Sequence, residues 1–125
     1  VSDENLIRIV NLDTSDQQCN ALLWKCLGYT PSGDPGTYSA EKVFPKWRER
    51  YPTPPDLIGL SRVFDPTVDK PVRDASMAMM KSIPRDFKGG VRALEPLGFR
   101  GFKLKDLTPN KTRRAQAVNW LIFYR

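Results

Sequence analysis

Between residues 100 and 114 stand six cations, Arg100, Lys103, Lys105, Lys111, Arg113 and Arg114, against one carboxylate, Asp106. Such a cluster suits recognition of an anion. An ammonium supplies a point charge, and a guanidinium supplies a planar fork that bonds a carboxylate or phosphate through two parallel hydrogen bonds. Lys111, Arg113 and Arg114 also fall in the first turns of a helix read from Thr108 onward. The positive end of the dipole disfavours cations there, by tenths of a kcal/mol up to about 1 kcal/mol. A charge-assisted contact returns about 1.5–3 kcal/mol, and the open N–H groups of a helix start form an anion site of their own. Arg113 and Arg114 diverge by about 100° around the helix. One is therefore expected to lock onto an acid or loop carbonyl within the chain, with Asp13, Asp56 and Glu95 as acid candidates, and the other to face a partner. The partner-binding candidates are Lys103, Lys105, Lys111, Arg113 and Arg114.

Catalytic parts are sparse. The chain has no histidine, which removes His-based proton transfer and the commonest metal ligand. Cys19, Cys26 and the serines have no histidine to activate them, and no G-x-S-x-G elbow is present. The carboxylates are scattered, and Gly89-Gly90 falls short of a phosphate loop or a dinucleotide fingerprint. Cys19 and Cys26 lie seven apart on a predicted helix, roughly 10 Å along its axis. That is too far for a disulfide, and two thiols alone make no zinc site. Both read as core thiols of a reducing compartment. The expectation is a non-enzymatic chain with no cofactor, binding neither metal, haem nor chlorophyll, since the usual axial histidine is missing.

The elements that must hold the cations follow from caps and periods. Ser2 suits a cap for a short helix ending at Val10. Ser15 and Gln18 have capping-box spacing, and from Asp16 to Leu27 the positions Cys19, Leu22, Leu23, Cys26 and Leu27 share a helical face, with Gly28 placed to end it. Residues 30–36, TPSGDPG, read as a loop. Ser39 to Arg50 suits a short helix with Pro45 near its first turn and Trp47 as core anchor. Residues 57–64 suit a short strand. Residues 72–83 fit two periods: Met77, Met80 and Lys81 suit a helix, whereas Met77, Met79, Lys81 and Ile83 alternate as a strand, and the Pro84 that follows favours the strand. Pro84 to Leu94 reads as a helix weakened by Gly89-Gly90. Gly98 and Gly101 are turn-like, and residues 101–104 alternate as a strand. Thr108 caps the last helix, with Pro109 at its first position. Trp24, Leu27, Trp47, Phe99, Trp120 and Leu121 are expected in the core.

The whole is expected to be one α+β domain over residues 1–125, mostly short helices with a minor two- or three-stranded β element. Its 125 residues and 40% hydrophobic content suit one core. No apolar run approaches the roughly 20 residues of a spanning helix. The formal charge of +6 is uneven: residues 1–60 hold 6 basic and 8 acidic side chains, residues 61–125 hold 14 and 6. The C-terminal half therefore suits an anionic partner. Tryptophan and tyrosine at helical spacing read as core before they read as a base-stacking platform. A nucleic-acid-binding module using the same cations is the rival reading. The chain begins with Val1, so a preceding segment is expected to have been removed.

Several blocks, taken in order, carry a resemblance: ALLWKCLGY (21–29), WRERYPTPPDLIG (47–59), SIP (82–84), LGFRGFKL (97–104) and KTRRAQAVNWLIFY (111–124). They resemble a domain-of-unknown-function family of cyanobacteria and plastids, domain of unknown function 1823. Its members show W-x-x-L-G-Y, W-x-x-x-Y-P-x-P-P-D-x-I-G and L-G-F-x-G-Y-K segments, then T-R-R-A-x-x-x-N-W-L. Phe102 stands where tyrosine is usual, and residues 60–81 follow no matching pattern. The resemblance implies the chloroplast stroma or the cyanobacterial cytoplasm. It further implies a peripheral stromal subunit or assembly factor at the thylakoid surface, of the kind found on photosystem I of diatoms and related algae, with protein subunits of that complex as partners.

Overall fold

The computed structural model describes residues 2–60, 66–87, 90–99, 101–102, 105 and 107–125. Helix α1 (Asp3–Val10) starts at Ser2, whose side chain accepts from the Asn5 amide. Helix α2 (Asp16–Leu27) carries the full capping box: Ser15 and Gln18 satisfy each other's backbone N–H groups, and Gly28 ends the helix at φ 109°. Helix α5 (Pro109–Tyr124) has Thr108 as its cap, accepting from the Lys111 amide, and Pro109 at its first position. These starts and stops follow the sequence reading because each is set by local chemistry within four residues.

Helix α4 (Pro66–Lys81) corrects the strand favoured for residues 72–83. Its buried side is Ala75, Ser76 and Met79, while Met77 is 47% exposed. The helical stripe was hidden because its members include alanine and serine, and the alternating Met77 and Lys81 gave a false period of two. The β element is a single antiparallel pair, β1 (Thr30–Pro31) with β2 (Tyr38–Ser39), in the register Thr30 to Ser39 and Pro31 to Tyr38. It closes the segment read as a loop, with the Ser32 amide bonded to the Thr37 carbonyl. Residues 57–60 form no strand, and of the strand expected at 101–104, residues 101–102 have no regular structure. Residues 61–65, 103 and 104 lie outside the described residues. Helix α3 is shorter than expected, Pro45–Arg50. In place of a helix over residues 84–94 there are 3₁₀ turns at Arg85–Phe87 and Gly90–Leu97.

Helix α5 is the centre of the packing: α1, α2, α4 and the 90–97 turn all lie against it. The core joins Leu6 and Ile9 of α1, Leu23 of α2, Leu57, Met79 of α4 and Leu121 of α5. Phe99, Trp120 and Leu121 are buried as expected, whereas Trp24, Leu27 and Trp47 are half-buried against that core. The fold is a small α+β domain, mostly helical.

Candidate functional site

The two arginines of α5 are both committed inside the fold. Arg113 donates from Nη1 and Nη2 to both carboxylate oxygens of Asp69, at 2.6 and 2.7 Å. Arg114 donates to the Ile9 carbonyl at 2.8 Å, to Asp16 at 2.7 Å and to Asn110 at 3.1 Å. Their side chains are 6% and 4% exposed. The expectation that one would lock inward and the other face a partner is therefore corrected: both lock inward, and the acids are Asp69 and Asp16 rather than Asp13, Asp56 or Glu95. The divergence of about 100° remains, but α5 is covered on more than one side. It sends Arg113 towards α4 and Arg114 towards the junction of α1 and α2. Arg113 holds the Asp69 carboxyl below the usual carboxylate range, first through its hydrogen bonds, which outweigh the upward push of burial, and then through its charge.

The other cations named as partner residues are Lys103, Lys105 and Lys111. Lys103 lies outside the described residues, as do Arg100 and Asp106. Lys105 is exposed. Lys111 is half-buried, with its ammonium 5.8 Å from the centre of the Phe102 ring. A cleft of about 450 Å³ does lie between the starts of α2 and α5, lined in part by Ser15, Asp16, Thr108, Lys111 and Arg114. Its anion-binding capacity is reduced from within, because Asp16 already occupies Arg114 and Thr108 already caps the Lys111 amide.

Four of the blocks that carried the resemblance dock the chain to itself. Asn119 accepts from the Val91 amide at 2.6 Å, and the Trp120 indole donates to Ser82 at 3.0 Å. Trp24 donates to the Pro55 carbonyl, Tyr29 to the Tyr51 carbonyl, and Trp47 to the Tyr29 hydroxyl. Asn20, fully buried on the apolar side of α2, donates to Asp56 and accepts from the Leu57 amide. Burial pushes the Asp56 carboxyl upward, but bonds from Asn20 and from the Gly59, Leu60 and Ile58 amides outweigh it, and the net shift is downward.

At the far end of α5 is a larger opening, a groove of about 760 Å³ where the C-terminal ends of α2, α4 and α5 meet α3. Its walls include Trp47, Trp120, Leu27 and Ala78, with Phe123 and Phe44 at the mouth. Phe44 is 69% exposed and Phe123 38%. Lys46, Arg50 and Lys81 also line it, and among the described residues no aspartate or glutamate does. Both indole N–H groups of the walls are spent inside the fold, so each ring offers the groove only apolar surface. Ser82 is likewise engaged, donating to the Met79 carbonyl. The Cys26 thiol at its edge is pushed upward by burial and stays neutral. Cys19 is pushed up to about 11, again chiefly by burial. Neither cysteine is in a disulfide, and neither has the lowered pKa of a nucleophile.

What the groove can do is bind: aromatic walls with spent donors, open to solvent and edged by cations, match the aromatic and arginine anchors that dominate binding energy at protein interfaces. The sequence reading assigned Trp47 and Trp120 to the core and gave no binding role to Phe44, Lys46, Arg50, Lys81 or Phe123. A signal existed in FPKWRER (44–50) and WLIFYR (120–125), where aromatics and cations share short helical stretches. Among the described residues no helix is long and apolar enough to cross a membrane.

No curated protein matches the chain at a significant level. A protein solved by solution NMR resembles it at 37% identity and a TM-score of 0.74, over 100% of this chain and 92% of that one. The family model described as Domain of unknown function (DUF1823) matches residues 1–125, and the chain belongs to that family.

Proposed function

We propose that the chain is a non-enzymatic protein-binding domain and that the basic-edged aromatic groove is its docking face. The observation that carries this reading is the coincidence of exposed Phe44 and Phe123, indole walls with no free donor, and three cations with no lining carboxylate among the described residues. An apolar opening of this size, left open in a small domain, is stabilised when a partner covers it. The setting follows from the sequence resemblance: a peripheral stromal subunit or assembly factor of a photosynthetic membrane complex, photosystem I, on the thylakoid surface or its cyanobacterial equivalent. In that setting the docking face moves from the start of α5, where the cations had suggested it, to the other end of the same helix.

The test is migration of a tagged chain with thylakoid complexes in a mild-detergent native gel. The parent and a Lys105→Glu variant should run with a photosystem I complex. Phe44→Ala and the double variant Lys46→Glu, Arg50→Glu should run free, with unchanged melting curves. Groove variants that still co-migrate would remove the groove as the docking face. Nuclease-sensitive migration, or salt-dependent retention on single-stranded nucleic acid, would favour the nucleic-acid module instead.

A further inference from the structure

We infer that the groove receives an acidic amphipathic helix from a partner protein, an inference that rests on the groove being the docking face. Three features select that occupant. The first is the backbone. The groove is walled by side chains of α2, α3, α4 and α5, and neither strand of the β1–β2 pair lines it. An extended peptide would leave its N–H and C=O groups in an apolar opening with no ladder to join, each at a desolvation cost. A helix arrives with those bonds already made and lays down only side chains.

The second feature is the wall chemistry. Trp47 and Trp120 have no donor left to give, so the buried side of the occupant must be apolar. A space of about 760 Å³ falls within the range that encloses a drug-sized ligand. It therefore takes a few side chains from one helical face, at i, i+3 or i+4 and i+7, rather than a whole helix.

The third feature is charge spacing. Lys46 and Arg50 are four residues apart on α3, about 6 Å along its axis, and Lys81 stands on α4. Lys46 lies in the first turn of α3, where its own helix dipole offers it nothing. The complementary pattern is a pair of carboxylates four apart on one border of the apolar stripe, facing Lys46 and Arg50, with a further acid on the other border.

Three synthetic 18-residue helical peptides test this by anisotropy at about 0.15 M salt, the regime of an ~8 Å screening length. One has a leucine stripe bordered by glutamates, one has lysines in their place, and one has the first composition shuffled to break the stripe. The glutamate peptide should bind, the lysine peptide about tenfold more weakly and the shuffled one not measurably, the tenfold reflecting two to three exposed ion pairs. The double variant Lys46→Glu, Arg50→Glu, checked by urea unfolding to be folded, should reverse the preference between the first two. Equal binding of the glutamate and lysine peptides would overturn the inference. So would no binding of the glutamate peptide, or groove-dependent binding of oleate or of anionic phosphatidylglycerol vesicles in its place. If native complexes still need the groove while the glutamate peptide fails, the helix is wrong and the docking face stands. If both fail, both are wrong.

Discussion

Arg114 makes three side-chain contacts, to a carbonyl of α1, a carboxylate of α2 and an amide oxygen of its own helix. Lysine keeps the charge but cannot span three acceptors with a fixed fork. Arg114→Lys should therefore lower stability by about 2–3 kcal/mol and Arg113→Lys by about 1–2 kcal/mol, the range for charge-assisted hydrogen bonds lost inside a fold. Urea unfolding at pH 7 reads both, and an unchanged midpoint for either would return that arginine to the surface. Asp69 adds a pH signature. Its folded pKa is depressed by Arg113, so its contribution is fully present above the unfolded value, about 3.9, and is lost as pH falls through the lowered folded value. Asp56 is depressed as well and acts in the same direction. Melting temperature should hold from neutral pH down to about pH 4 and drop below it. Asp69→Asn should start lower and drop less steeply, and a variant with the parent's acid profile would show that Asp69 does not contribute to it.

Helix α2 shows what a sequence states openly. Ser15, Gln18 and Gly28 act on their own neighbours, and each lies where its residue type demands. Gly28 sits at φ 109°, and a Cβ there would stand 2.6 Å from the Lys42 carbonyl oxygen, a backbone atom that cannot swing aside. Gly28→Ala should cost about 2 kcal/mol or more, since left-handed strain alone is worth roughly 1–2 kcal/mol. Thermal melting checks it, and a loss under about 0.5 kcal/mol, the size of an ordinary surface change, would mean that the helix end re-forms elsewhere. The same reasoning from local chemistry located α1 and α5. It failed for α4, where Ala75 and Ser76 form part of the buried face without looking apolar. It failed again for β1 and β2, which are two residues each and flank a Pro- and Gly-rich loop. The groove was illegible for another reason: its walls come from residues 26–27, 44–50, 78–82 and 120–123, and only packing around α5 brings those together. Likewise the fate of Arg113 and Arg114 was decided by Asp69 and Asp16, each far away in sequence and neither standing out by type.

Among the described residues, Lys111 and the groove stand at opposite ends of one helix. Helix α5 spans 16 residues, about 24 Å at the α-helical rise, with Lys111 near its start and Phe123 near its end. The distance exceeds the screening length of about 8 Å at physiological salt, so a partner seated in the groove should scarcely sense charges beside Lys111. Lys111→Glu should leave partner affinity within about twofold, because charges beyond a screening length are largely hidden from one another. The groove should respond to salt in a way that separates its two components. At 1 M salt the screening length falls to about 3 Å, which removes most of what Lys46, Arg50 and Lys81 contribute. The aromatic walls are unaffected, since apolar burial at about 25 cal/mol per Å² needs no charge. Affinity should therefore weaken by about tenfold between 0.15 and 1 M salt, as expected for two to three exposed pairs, and then level off. Phe44→Ala should lower the plateau without changing the slope, and Lys46→Glu with Arg50→Glu should change the slope. A complex that dissociates fully at 1 M salt would make the contact electrostatic throughout and leave Phe44 and Phe123 without a role in it.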